Sequence, residues 1–135
     1  HQIKLGRTVK LLEGNDITVI SSGMMTGKAK AAGAMLEKQG IHIDLLHMPS
    51  IKPLDEEAVI ESAAKTGKVI TVENHSVIGG LGSAVCELLS KKYPVKTSCL
   101  GFPDIFLQCG ADEELFSRYG MNTENIADTI LKRVK

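Results

Sequence analysis

The sequence predicts an α/β layered fold built as one domain over residues 1–135. Short β-rich runs alternate with helical patterns along the chain, which is the signature of that class. Ile17 to Ser21 is a continuous β-branched run, and Lys68 to Glu73 (KVITVE) is of the same buried type, as expected for strands covered on both faces. The 135 residues, 43% hydrophobic and 24% charged, suit one ordinary domain and argue against a disordered chain.

Taken in order, Val9 to Glu13 reads as a short first strand and Gly14-Asn15-Asp16 as a turn. Ile17 to Ser21 is the second strand. The period then changes. Ala29, Ala32, Gly33 and Leu36 fall at i, i+3, i+4 and i+7 on one helix face, and Gly40 stops that helix. Ile41 to Met48 is the third strand. Pro49 and Pro53 bracket a loop, and Asp55, Glu56 and Glu57 place negative charge in the first turn of a helix that ends near Gly67. Lys68 to Glu73 is the fourth strand. Beyond a glycine-rich turn, Leu81, Ala84, Val85, Leu88 and Leu89 make the clearest helical face. Val95 to Leu100 is the fifth strand, followed by a loop with Pro103. Asp112 opens a short helix that stops at Gly120. A last helix starts near Thr123 with Ile126, Ala127, Ile130, Leu131 and Val134 inward.

Charge and composition exclude several classes. Sixteen basic and sixteen acidic residues cancel without a basic patch, so no nucleic-acid partner is expected. No apolar run approaches the ~20 residues of a membrane helix. Residues 1–10 are mixed and polar, unlike a signal peptide, and His1 reads as a tag remnant. Cys86, Cys99 and Cys109 are odd in number and form no CxxC pair. They read as reduced thiols of a cytoplasmic protein, with no metal site.

Three near-motifs fall short of chemistry. Gly23 to Ala29 (GMMTGKA) echoes a phosphate-binding loop, but three residues separate its glycines where four are needed. Ala29 also lacks the metal-holding hydroxyl. The second is the stretch Val72 to Val85, which contains Gly79, Gly80, Gly82 and Ser83 between a strand and a helix, where backbone N–H groups can meet an anion. Its Gly80-x-Gly82 opens like a dinucleotide fingerprint, but Val85 replaces the third glycine and no acid follows ~20 residues on. These glycines are expected instead to let strand, turn and helix pack closely, or to carry positive φ. The third is Glu73 with His75. Two apart in an extended segment, they point to one side and could meet, either for acid–base chemistry or as a hydrogen-bonded pair at a domain or subunit contact. The contact reading is favoured, because no nucleophile motif accompanies them. His42 and His47, five apart, would face opposite ways on one strand.

The stretch Ile51 to Leu89 (IKPLDEEAVIESAAKTGKVITVENHSVIGGLGSAVCELL) resembles the C-terminal domain of transketolases. It shares the I-K-P-L-D loop, the acidic helix, a strand ending in E-x-H and then G-G-L-G-S-A-V. Upstream, GNDITVISSGMMTGKAKAA is similar to that family's G-x-D-V-T strand and turn. Downstream, LGFPDIFLQCGADEELFSRYGMNTENIADTI is similar to its G-x-P-D-x-F segment and closing helix. One departure is Cys109, where the family often has histidine.

The resemblance implies a three-layer α/β/α sandwich on a mixed five-stranded sheet whose first strand runs antiparallel to the rest. It also implies a homodimeric enzyme that moves a two-carbon ketol unit between sugar phosphates, using thiamine diphosphate and a divalent metal such as magnesium. That cofactor belongs to upstream domains with a G-D-G motif. None occurs here, so no cofactor and no catalytic residue are assigned to this chain. The partner implied is the N-terminal thiamine-binding section. Glu73, His75, Gly79, Gly80, Gly82 and Ser83 are left as interface or regulatory anion-site candidates. Within the resemblance, the alternatives are the beta chain of a 2-oxo acid dehydrogenase and deoxyxylulose-phosphate synthase. The alternative from another class is a stand-alone anion- or nucleotide-binding module.

Overall fold

The computed structural model describes residues 4–135, so His1 lies outside it. Five strands form one sheet in the order β1-β3-β2-β4-β5: β1 (Val9–Leu12), β2 (Ile17–Ser21), β3 (Ile43–His47), β4 (Lys68–Ser76) and β5 (Lys96–Phe102). Strand β1 pairs antiparallel with β3, and all other pairs are parallel. The reversed first strand is as the resemblance implied. Strand alternation sorts the core into two halves. Ile17, Val19, Ile43, Leu45, Ile70 and Val72 face α1 (Met25–Glu37) and α5 (Thr123–Val134). Ile20, Leu46 and Val69 face α2 (Glu56–Thr66) and α3 (Leu81–Lys92). Helices therefore cover both faces, and β2 is buried at every residue.

Local chemistry explains the element ends. Asp55 caps α2 by accepting from Ala58 N–H, and its other oxygen accepts from Thr8 N–H at 2.7 Å. Gly67 closes that helix in the left-handed conformation, φ 69°. Asn122 caps α5 through Asn125 N–H. Helix α4 (Asp112–Arg118) is held to the sheet by aromatics. Phe116 stacks on Phe102 with centroids 6.1 Å apart, and Tyr119 meets Phe102 edge-on at 5.6 Å.

Strand boundaries differ from the expectation in one way that matters. Strand β4 runs on to Ser76 and β5 to Phe102, past their expected ends at Glu73 and Leu100. Ser76 still pairs with Phe102 after an irregularity beyond Val72, so Glu73 is not the last residue of the strand and His75 lies within it rather than in the turn after it. Strand β3 is shorter than expected at both ends.

Among the described residues, no helix is long and apolar enough to cross a membrane.

Candidate functional site

Glu73 lies on the α3 side of β4, because strand alternation groups it with Val69 and Thr71. It is only 2% exposed. Helix α3 starts at Gly80, which has no side chain to cap it, and Glu73 takes that role from the sheet. Leu81 N–H donates to Glu73 Oε2 at 2.7 Å and Gly82 N–H to Oε1 at 2.9 Å. A buried carboxylate thus satisfies two of the donors that every helix start leaves open, in the field of the helix dipole. The N–H groups that an external anion would use here are engaged by the protein itself.

The glycines serve this contact through space. Gly80 has φ −106°, and a Cβ there would fall 2.1 Å from Glu73 Oε2 and 2.8 Å from His75 Nδ1. At Gly82 a Cβ would meet Cys99 Sγ at 2.7 Å and Thr71 Oγ1 at 2.9 Å. Positive φ belongs to neither but to Gly79, at 81°, whose N–H donates to Ser83 Oγ at 2.8 Å. Thr71 Oγ1, against Gly82, is buried without a hydrogen-bond partner.

His75 comes within 4.0 Å of Glu73 Oε2 but does not bond to it. Its Nδ1–H donates to Ser76 O at 2.7 Å, and the ring is exposed. The two side chains meet as the two-residue spacing predicts, one buried and one facing solvent. His75 separates two clefts at the carboxyl edge of the sheet. The larger, about 500 Å³, runs along Ser22, Met24, Glu73 and Gly80. The smaller, about 350 Å³, runs between Phe102, Pro103, Ile105 and Phe116. Ile78 (62% exposed), Ile105 (60%) and Phe106 (fully exposed) project from this edge.

The other near-motifs resolve as packing. Lys28 pairs with Glu113 at 2.8 Å and lies 5.0 Å over the Phe116 ring, turned toward α4. His42 precedes β3 and is exposed. His47 ends β3, and its Nδ1 lies 2.9 Å from Thr26 Oγ1.

A buried polar network under α2 escaped the sequence reading. Asp44, fully buried in β3, accepts from Lys65 Nζ at 2.7 Å and Ser62 Oγ at 2.5 Å, and Gly14 N–H lies 3.4 Å away. Thr18 Oγ1 sits 2.7 Å from both Ser62 Oγ and Thr66 Oγ1. The available signal was a polar residue at the α2-facing position of each of two apolar strands, with Ser62, Lys65 and Thr66 at helical spacing opposite. Burial raises the Asp44 carboxyl. The hydrogen bonds from Lys65, Ser62 and Gly14, and the charge of Lys10, outweigh it and hold the group below the ordinary carboxylate range. A depressed folded-state value gives stability that is present above about pH 4 and is lost as pH falls through the lower value. Asp44→Asn is therefore expected to be less stable at neutral pH and to lose part of the wild-type decline below about pH 4, read by denaturant midpoints across pH. Parallel acid declines in both proteins would refute this.

These donor sets do not fit a diphosphate with its divalent metal, which needs several free hard oxygen ligands. Glu73 is committed to peptide N–H groups and Asp44 to Lys65 and Ser62. Among the described residues, no group of three His, Cys, Asp or Glu side chains is arranged to hold a metal ion.

Comparison with known proteins places these features in a family context. The model for "Transketolase, C-terminal domain" matches residues 6–126. The chain is 44% identical over 131 residues to an apulose-4-phosphate transketolase subunit of Phocaeicola vulgatus, covering 97% of this chain and 42% of that one. It is 42% identical to a 1-deoxy-D-xylulose-5-phosphate synthase of Caldanaerobacter subterraneus, over 97% of this chain and 21% of that one. A solved split-gene transketolase, described as an inactive beta4 tetramer, superposes with TM-score 0.93 at 41% identity over 99% of this chain and 44% of its own. The chain thus spans less than half the length of each relative.

Proposed function

The chain belongs to the transketolase C-terminal domain family, and we propose that it is the C-terminal section of a cytoplasmic, thiamine-diphosphate-dependent transketolase whose cofactor is held by a companion section. The observation that carries this is the apolar carboxyl edge, where Ile78, Ile105 and Phe106 project beside the His75 clefts. Large apolar side chains grouped on one edge mark an interaction surface. The Phocaeicola vulgatus relative is named as one subunit of a transketolase, and this chain covers 42% of it, which supports a companion section as the occupant.

In that assembly, thiamine diphosphate and magnesium supply the chemistry that moves a two-carbon ketol unit between sugar phosphates. This chain supplies a surface. Glu73 locks the start of α3, so that Gly79, Gly80, Gly82 and Ser83 form a rigid turn beside His75. These residues are read as interface, because the N–H groups an anion would need already hold Glu73. The complete enzyme is proposed to work as a dimer of such pairs. A second reading, deoxyxylulose-phosphate synthase, is favoured by the 42% identity to that enzyme.

Calorimetry with thiamine diphosphate and magnesium, on the chain alone and with its companion, tests the proposal. The lone chain is expected to show no micromolar cofactor binding, and ketol transfer is expected only on mixing. Phe106→Asp should weaken assembly at least about tenfold without lowering the unfolding midpoint of the lone chain. Cofactor binding and turnover by the lone chain would overturn the division of labour. Formation of 1-deoxyxylulose 5-phosphate by the mixture, without ketol transfer between sugars, would select the second reading.

A further inference from the structure

Two cysteines meet on the α3 face of the sheet, the face that also carries Glu73. Cys99 pairs with Thr71 in register and shares its face, the face toward α3. Cys86 lies one helical turn after Gly82 on α3. The missing side chain at Gly82 leaves the space that Cys99 Sγ fills. The two sulfurs end 3.7 Å apart, in van der Waals contact. Because β5 is an edge strand, the pair is open to solvent: Cys99 is exposed and Cys86 half-buried. Both are free thiols, as is the exposed Cys109 in the loop before α4.

We propose that Cys86 and Cys99 form a reversible dithiol–disulfide site, oxidised by the disulfides of small thiols, that ties α3 to the edge strand β5. Closing to a bonded S–S distance needs an approach of about 1.7 Å, within reach of side-chain rotation. Cys99 is the more accessible sulfur and reacts first. Its thiolate attacks one sulfur of the small disulfide and expels one small thiolate. Cys86 then loses its proton to solvent and attacks Cys99 Sγ, expelling the second. The balance is two protein thiols and one small disulfide giving one protein disulfide and two small thiols. Burial, followed by the hydrogen bond and charge of Cys99, pushes the Cys86 thiol up to about 11. Burial, the largest of these causes, persists once Cys99 is in the mixed disulfide, so the resolving step still requires Cys86 to lose its proton and quickens as pH rises.

The test treats the reduced full chain carrying Cys109→Ser with excess glutathione disulfide and follows intact mass and peptide maps. The expected product is lighter by about 2 Da, contains a Cys86–Cys99 linked peptide, and reverts under dithiothreitol. Its formation should quicken by about tenfold per unit between roughly pH 7 and 9. Cys86→Ser in the same background should stop at a glutathione adduct on Cys99, heavier by about 305 Da. The wild-type chain, mapped in parallel, should show the same linked peptide. A stable Cys99 adduct in the chain that retains Cys86, or two unreacted thiols, would overturn the proposal.

Discussion

Glu73→Ala is expected to destabilise the chain by about 3–5 kcal/mol, since it removes two charge-assisted hydrogen bonds and leaves two buried N–H groups without partners. The carboxylate sits 2% exposed against Leu81 and Gly82, so water cannot replace it without opening the strand–helix contact. Glu73→Gln keeps the shape and one acceptor oxygen but turns an amide N–H toward a peptide N–H, so about half that loss is expected. Gly80→Ala should cost about 2–3 kcal/mol, because its Cβ would occupy the space of Glu73 Oε2. With Glu73→Ala already present, the clash partner is gone, His75 can turn into solvent, and Gly80→Ala should cost less than about 1 kcal/mol. Denaturant unfolding of the four proteins measures the cycle. Additive losses would mean that Gly80 is required for a backbone reason and that the carboxylate contact does not explain it.

Gly14→Ala is expected to cost a comparable amount, about 3–5 kcal/mol, for a reason that allows no relaxation. A Cβ at Gly14 would lie 2.2 Å from His42 O, 2.3 Å from His42 C and 2.7 Å from Ile43 C, all backbone atoms. The turn between β1 and β2 rests on the chain entering β3. Asp16 N–H donates to His42 O at 3.1 Å, and His42 N–H donates to Asp16 Oδ2 at 2.7 Å. Moving the turn outward would strain these bonds and draw Gly14 N–H away from the buried Asp44. A substitution milder than about 1 kcal/mol, measured by the unfolding midpoint, would show that the β3 entry gives way freely.

Periodicity made the element order readable. The run Ile17–Ser21 could only be a strand covered twice, and Ala29, Ala32, Gly33 and Leu36 could only be one face of a helix; all of these are buried. Asp55 before two glutamates marked the start of α2, and it caps that helix. Such signals are local, with period 2 or 3.6 and a cap within a turn, so they survive without knowledge of neighbours. The family pattern added the reversed first strand, which no local signal carries.

Pairing across the chain was not readable in the same way. The E-x-H stretch located the carboxyl edge of β4, and the two-residue spacing brought Glu73 and His75 to 4.0 Å. Yet the partners of Glu73 are backbone N–H groups of α3, and those have no sequence signature at all. Gly14 read as a turn glycine until the entry to β3 was laid against it, and Gly80 and Gly82 gave no sign of whether φ or space required them. Thr18 counted only as part of a continuous β-branched run, and Asp44 stood unmarked in the third strand, until α2 set Ser62, Lys65 and Thr66 opposite them. Cys86 and Cys99, thirteen positions apart, looked like unrelated thiols until the β4–β5 register brought them into contact. Local pattern settles which face of an element is buried, because that depends on each residue's own transfer free energy. Which group meets which across that face depends on strand order and register, and those are settled only when all the layers pack at once.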